Sequence, residues 1–119
     1  MTSIENRAEA GTRTFARLDY IAASPSGPHL HVTLRGDVDL GVAGLLEDTL
    51  EKVTAMPPCG ITVDLAEVTF LCSTGLNFIA AAHRHAAGHG YAVTVANPAP
   101  IVRRVLQICG FDRVMTVTG

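Results

Sequence analysis

The sequence predicts an α/β domain whose helices pack on a mixed β-sheet that starts with an antiparallel hairpin and continues with parallel strands. Three observations point there. Two runs near the amino end alternate apolar and polar residues with a period of two, three later runs repeat apolar residues at three-and-four spacing, and short β-rich runs separate those three. Consecutive strands joined by a turn pair antiparallel, whereas strands alternating with helices need right-handed crossovers and so pair parallel. With 119 residues, no Trp, four Phe and two Tyr, the chain has room for one core, built mainly from Val, Leu, Ile and Ala.

Residues 1–12 show no periodicity and are expected to form a loose arm ahead of a single domain over 13–119. Ala16, Leu18, Tyr20 and Ala22 then alternate with Arg17 and Asp19, "SPSGP" (24–28) turns the chain, and Leu30, Val32 and Leu34 alternate with His31 and Thr33. These are two strands with one wet face. Val42, Leu45, Leu46, Thr49, Leu50 and Val53 share one helical face, with Glu47, Asp48, Glu51 and Lys52 opposite. Asp39 or Gly41 opens that helix, and "MPPCG" (56–60) ends it because two prolines cannot continue the ladder.

"ITVDL" (61–65) reads as a strand and "AEVTFL" (66–71) as a link. A helix over 75–87, with Leu76, Ile79, Ala80 and His83 on one stripe and Phe78, Ala81, Ala82 and His85 beside it, has a broad apolar surface and stops at Gly88 and Gly90. "YAVTVAN" (91–97) is a strand. Asn97-Pro98 then starts a helix whose buried side is Ile101, Val102, Val105, Leu106 and Cys109, and "VMTVT" (114–118) closes the sheet.

Charge and cysteine content exclude several functions. Residues 1–67 hold ten acids against five bases, and residues 68–119 hold Asp112 against four arginines. That is no clustered basic stripe, so nucleic acid is not an expected partner; an acidic face that meets a basic partner is. Cys59, Cys72 and Cys109 are an odd number with no C-x-x-C pair, which reads as three buried thiols rather than a disulfide framework or zinc site. The polar start and the absence of any run of about 20 apolar residues predict a cytoplasmic protein without a membrane anchor.

The Ser73-Thr74-Gly75 triplet interrupts an apolar run where a helix begins. In one reading Ser73 or Thr74 is an N-cap contributing about 1 kcal/mol, and Gly75 allows a close approach. In the other, the hydroxyl accepts a phosphoryl group at the positive end of the helix, where added charge alters a docking surface without disturbing the fold. Neither Leu76 nor Asn77 completes a capping box, so local sequence leaves both open.

The fragments "LRGDVDL" (34–40), "VDLAEVTFLCSTGL" (63–76) and "NPAPIVRRVLQICGFDRV" (97–114) occur in that order and at a spacing that resembles the STAS domain of bacterial anti-sigma-factor antagonists, over residues 14–118. The resemblance implies binding to an anti-sigma factor with a GHKL-type serine kinase domain, release upon phosphorylation and resetting by a PP2C-type phosphatase. It implies that Ser73 is the phosphoacceptor, and that Asp37, Asp39, Cys72, Ser73, Thr74, Gly75, Leu76 and Asn77 face the partner. Gly36-Asp37-Val38-Asp39 matches the family loop that lies beside the acceptor. One position departs: Cys72 stands where the family usually has Asp.

Rival chemistries are thinner. Cys72 with His83 or His85 as base would be an activated nucleophile, but His83 already lies roughly 16 Å along the same expected helix. His85 and His89 lack a third ligand, so no metal is expected. Neither G-x-x-x-x-G-K-[ST] nor G-x-G-x-x-G occurs, so no nucleotide or other cofactor is expected, and the protein reads as a non-enzyme. Arg103 and Arg104 read as a solvated face. The alternative from a different class is a non-switching STAS scaffold or sensor module in which Ser73 is only a helix cap.

Overall fold

Period-two alternation in "HLHVTLRGDV" sends Leu30, Val32 and Leu34 to one side, where all three are buried, and His29, His31 and Thr33 to the other. The structure, a computed structural model, describes residues 2–7, 15–22 and 27–119. Its six strands are β1 (Thr2–Arg7), β2 (Phe15–Ile21), β3 (His29–Val38), β4 (Gly60–Leu71), β5 (Val93–Ala96) and β6 (Thr116–Thr118), in spatial order β1-β2-β3-β4-β5-β6. β1, β2 and β3 are antiparallel neighbours; β3 through β6 pair parallel. The expected mixed sheet with its antiparallel start is therefore present.

Three helices connect the parallel strands: α1 (Ala43–Ala55), α2 (Ser73–Ala87) and α3 (Pro100–Ile108). α1 and α2 pack against each other, α2 lies on β4 and β5, and α3 lies against β4. Leu45, Leu46 and Val53 of α1, Phe78, Ile79, Ala82 and Ala86 of α2, and Val102 and Leu106 of α3 join the inward strand residues in one core. Thr49 is the buried polar residue there, and its hydroxyl donates to the Leu45 carbonyl at 2.7 Å, whereas among the described residues the buried Nδ1 of His83, on α2, has no hydrogen-bond partner.

Several expectations need correction. Thr2–Arg7, read as part of a loose arm, pairs with β2 from Thr2↔Tyr20 to Arg7↔Phe15; the rest of that arm, and most of the expected turn at 24–28, lie outside the described residues. A polar strand held by backbone hydrogen bonds leaves little apolar period to read. β3 and β4 both run further than alternation suggests. Buried residues in the second half of β4 are Leu65, Val68 and Leu71, spaced by three, because the β3–β4 ladder shifts register between Thr33 and Arg35 and again between Gly36 and Asp37. Gly36, at φ 91°, takes the backbone conformation such an irregularity needs, and the Asp64 carboxylate accepts the Ala66 N–H at 2.9 Å.

The Asn97-Pro98 start also differs. Asn97 adopts a left-handed φ of 56° and donates its N–H to the Thr118 carbonyl at 2.8 Å, so α3 begins only at Pro100. Its buried side is limited to Val102 and Leu106, with Ile101 exposed and Cys109, beyond the last turn, exposed as well. Of the three thiols expected to be buried only Cys59 is; Cys72 is half-buried. Burial pushes the Cys59 thiol pKa up, which keeps it protonated and unreactive.

The outer face of β2, β3 and β4 is polar. Arg17 pairs with Asp19 at 3.2 Å, His31 with Asp64 at 3.4 Å, and Arg35 with Glu67 at 3.6 Å while lying over the Phe15 ring. His29 Nε2 and Thr62 Oγ1 are 2.7 Å apart. Burial, and secondarily the neighbouring His31, hold the His29 imidazole below its ordinary value of 6.5. The unfolded chain thus binds that proton more readily than the fold does. Its contribution to stability is complete above pH 6.5, falls as the pH drops through 6.5, and levels off below the folded pKa. Thermal melts at descending pH are expected to show Tm falling in this window, less steeply in His29→Gln; equal slopes would assign the effect to other groups.

Candidate functional site

β3 and β4 end side by side, and the chain leaves β4 directly into α2. Val38↔Leu71 is the last paired position, and the Cys72 N–H donates to the Val38 carbonyl at 3.0 Å, which fixes the start of α2 against the end of β3. Cys72 is extended (φ −102°, ψ −172°) and occupies the cap position, while its carbonyl accepts the Leu76 N–H at 3.1 Å. Ser73 is therefore the first helical residue, with an exposed side chain. The helix expected over 75–87 thus begins two residues earlier.

That shift decides the capping question. No side chain caps α2, and among the described residues the Ser73 hydroxyl has no hydrogen-bond partner. No acid lies in the first turn either. The leading N–H groups and the positive pole of the helix are thus left without a compensating side-chain charge beside an exposed hydroxyl. Such a position accepts an anion without loss of an existing interaction.

The other expected site residues divide by role. Gly75 is buried where α2 crosses the strand ends: a Cβ there would sit 2.2 Å from Leu71 Cδ1 and 2.9 Å from Val38 Cγ1. It sets the distance between helix and sheet rather than offering a contact. Leu76 is half-buried against the core, Thr74 is half-buried and Asn77 is exposed. Asp37 and Asp39 flank Val38, whose carbonyl holds Cys72, so both acids lie at the same sheet end as Ser73. The Asp37 carboxylate accepts a short hydrogen bond from the Thr69 hydroxyl; the Asp39 carboxylate accepts the Gly41 N–H at 2.9 Å and its carbonyl the Val42 N–H at 3.2 Å. Asp39 thereby opens the single 3-10 turn (Leu40–Val42) that leads into α1, as the sequence suggested.

Two features went unread in the sequence. Phe70 stands opposite Asp37 in the ladder and is 50% exposed, an aromatic surface three residues ahead of Ser73. It was hidden inside the supposed link, although an aromatic in a β-rich run just before the triplet is visible. Thr74 and Asn77 also line a groove of about 330 Å³ between α1 and α2, with Leu46, Glu47, Leu50, Phe78 and Arg84 around it. Only helix packing creates that groove.

Other chemistry finds no geometry here. Ser73 and His83 belong to one continuous helix, about 15 Å apart along its axis, so no Cys72–His83 pair forms. His85 and His89 rings lie 5.0 Å apart, and His89 Nδ1 is 3.0 Å from the His85 carbonyl. Among the described residues no three His, Cys, Asp or Glu side chains converge as metal ligands, and no helix is long and apolar enough to cross a membrane.

Comparison with known proteins places this geometry. The family model described as "Mlab, STAS domain" matches residues 21–117. A STAS-domain-containing protein of Pseudomonas aeruginosa is 32% identical over 100 residues, covering 82% of this chain and 98% of its own. The anti-sigma-F factor antagonist RsfB of Mycobacterium tuberculosis is 30% identical over 82 residues, covering 69% of this chain and 66% of its own. Among solved structures, an anti-sigma factor antagonist from Mycobacterium paratuberculosis superposes with a TM-score of 0.67 at 25% identity, over 87% of this chain and 85% of the other. The order of strands and helices, the hydroxyl at the mouth of α2 and the extent of these matches together show that the chain belongs to the STAS-domain family.

Proposed function

We propose that this STAS domain is an anti-sigma-factor antagonist: it binds an anti-sigma factor carrying a GHKL-type serine kinase domain, and phosphorylation of Ser73 releases it. The observation that carries this reading is the exposed Ser73 hydroxyl at an uncapped, acid-free helix start. Relatives named as anti-sigma-factor antagonists support the partner class. In this role the chain is a binding protein and substrate of its partner, not an enzyme, and it acts in the cytoplasm, where a PP2C-type phosphatase resets it.

The switch is electrostatic. Ser73 Oγ attacks the γ-phosphorus of ATP held by the kinase, ADP leaves, and the hydroxyl proton passes to the kinase. The product carries about −1.5 to −2 units of charge near the amino pole of α2. There it is tolerated by the fold, yet it enters a surface that already presents Asp37 and Asp39, so a partner attracted by those acids and seated on Phe70 and the α1–α2 groove meets a new charge and a new hydration shell. Cys72 leaves the phosphate without an adjacent carboxylate. The site's charge therefore changes chiefly through Ser73. A scaffold in which Ser73 is merely a cap has no capping bond to rest on.

Incubation with an anti-sigma-factor kinase from the same genome and ATP is expected to place phosphate on Ser73, read by mass spectrometry. Ser73→Asp is expected to weaken binding by roughly 10- to 100-fold while Ser73→Ala still binds. Phosphate on another residue, or Ser73→Asp binding as tightly as wild type, overturns the proposal.

A further inference from the structure

The solvent side of α3 is apolar where a solvated helix face is expected to be polar. Ile101 is 65% exposed and Ile108 75%, and Val114, just past the 3-10 turn that follows the helix, is 61% exposed. On a helix, positions 101, 105 and 108 fall within one narrow stripe about 10 Å long. Val105 is half-buried between the two isoleucines, and the core-facing residues Val102 and Leu106 lie on a different side. Half of the exposed large hydrophobic residues among those described thus gather in fourteen consecutive positions, 101–114. Scattered surface apolar residues need no explanation, but a contiguous stripe does.

Arginine borders this stripe. Arg104 and Arg113 are exposed and have no ion-pair partner among the described residues, and Arg103 reaches only the Thr118 carbonyl, at 3.4 Å. Asp112 is the sole acid in residues 68–119. We propose that α3 and the turn after it form a second docking surface, separate from Ser73, for an amphipathic protein helix whose apolar stripe is bordered by acidic side chains.

Charge selects this occupant over the others. Two copies paired antiparallel through α3 would match Ile101 of one with Ile108 of the other, yet would also bring Arg104 of both to the edge of one seam with little acid to offset them. An anionic membrane satisfies the arginines, but Ile101, Val105, Ile108 and Val114 offer no aromatic side chain for the interface. An acidic amphipathic helix satisfies both features, laying its apolar residues on the stripe and its carboxylates on Arg104 and Arg113. α2 and α3 both follow the carboxyl ends of parallel strands, but β5 ends level with Asp64, seven positions before the end of β4 at Leu71, so the α3 stripe is set back along β4 from Ser73.

The test uses the full chain, isotopically labelled, titrated in low salt with two synthetic amphipathic peptides that share a leucine stripe and differ in flanks of Glu or Lys. NMR shifts are expected at Ile101, Arg104, Val105, Ile108 and Val114, with the Glu-flanked peptide bound roughly tenfold tighter. The double variant Ile101→Ser/Ile108→Ser is expected to lose this binding. Arg104→Glu/Arg113→Glu, which touches no buried residue, is expected to reverse the peptide preference. Equal affinity for both peptides, shifts confined to the α1–α2 groove, shifts that depend on protein concentration without peptide, or binding to phosphatidylglycerol vesicles in place of the peptide would each overturn the proposal.

Discussion

Replacing Ile79 by alanine is expected to destabilise the domain by about 2–5 kcal/mol. Ile79 has no exposed surface and sits on the face of α2 that meets the sheet, within the core shared by all three helices. Truncation removes three methyl or methylene groups' worth of burial and leaves a void that close-packed neighbours cannot fill. Whole domains are stable by only about 5–15 kcal/mol, so the change consumes a large share. Denaturant melts should report a lower midpoint with an unchanged slope, and Tm should drop by on the order of 10 °C. A loss under about 1 kcal/mol would mean that α2 is held to the sheet by something other than this contact.

Gly75→Ala is expected to cost about 1–3 kcal/mol, against the ordinary helix preference that makes alanine better than glycine by up to about 1 kcal/mol. The new methyl would lie 2.2 Å from Leu71 Cδ1 and 2.9 Å from Val38 Cγ1. Leu71 can turn its end away only into a core that is already filled, and Val38 is β-branched and stiff. Relief must come from α2 lifting off the strand ends, which strains the Cys72–Val38 hydrogen bond and moves Ser73. Gly44→Ala in α1 is the matched control, since nothing lies within 4 Å of its added Cβ, and it should stabilise slightly. If Gly75→Ala proved as harmless as Gly44→Ala in denaturant melts, the close approach of α2 to the sheet would be wrong.

How legible each part was follows from how local its cause is. α1 and α2 were readable because 3.6-residue periodicity is a property of one segment, and so were the inner residues of β3 and the first half of β4, whose alternation is uninterrupted. The second half of β4 was not: with Leu65, Val68 and Leu71 buried at intervals of three, period two fails, and the ladder with β3 supplies what the segment lacks. α3 failed in the opposite direction. Its apolar residues surround more of the helix than the sheet covers, so the sequence assigned Ile101 to the core and the fold left it exposed.

The candidate site shows the same division. The amino-acid sequence by itself determined a mixed α/β sheet and the hydroxyl-glycine motif at the head of α2, because these rest on periodicity, turn chemistry and residue type, while the placing of Gly36-Asp37-Val38-Asp39 beside that motif came from the family resemblance alone. Only the tertiary structure decided that Ser73 is not a cap, that Phe70 is exposed beside it, that Gly75 is a packing contact and that the solvent face of α3 is apolar. Those outcomes depend on which groups other segments bring within a few ångströms, and a linear pattern of residues carries no information about a distance until the chain has closed on itself.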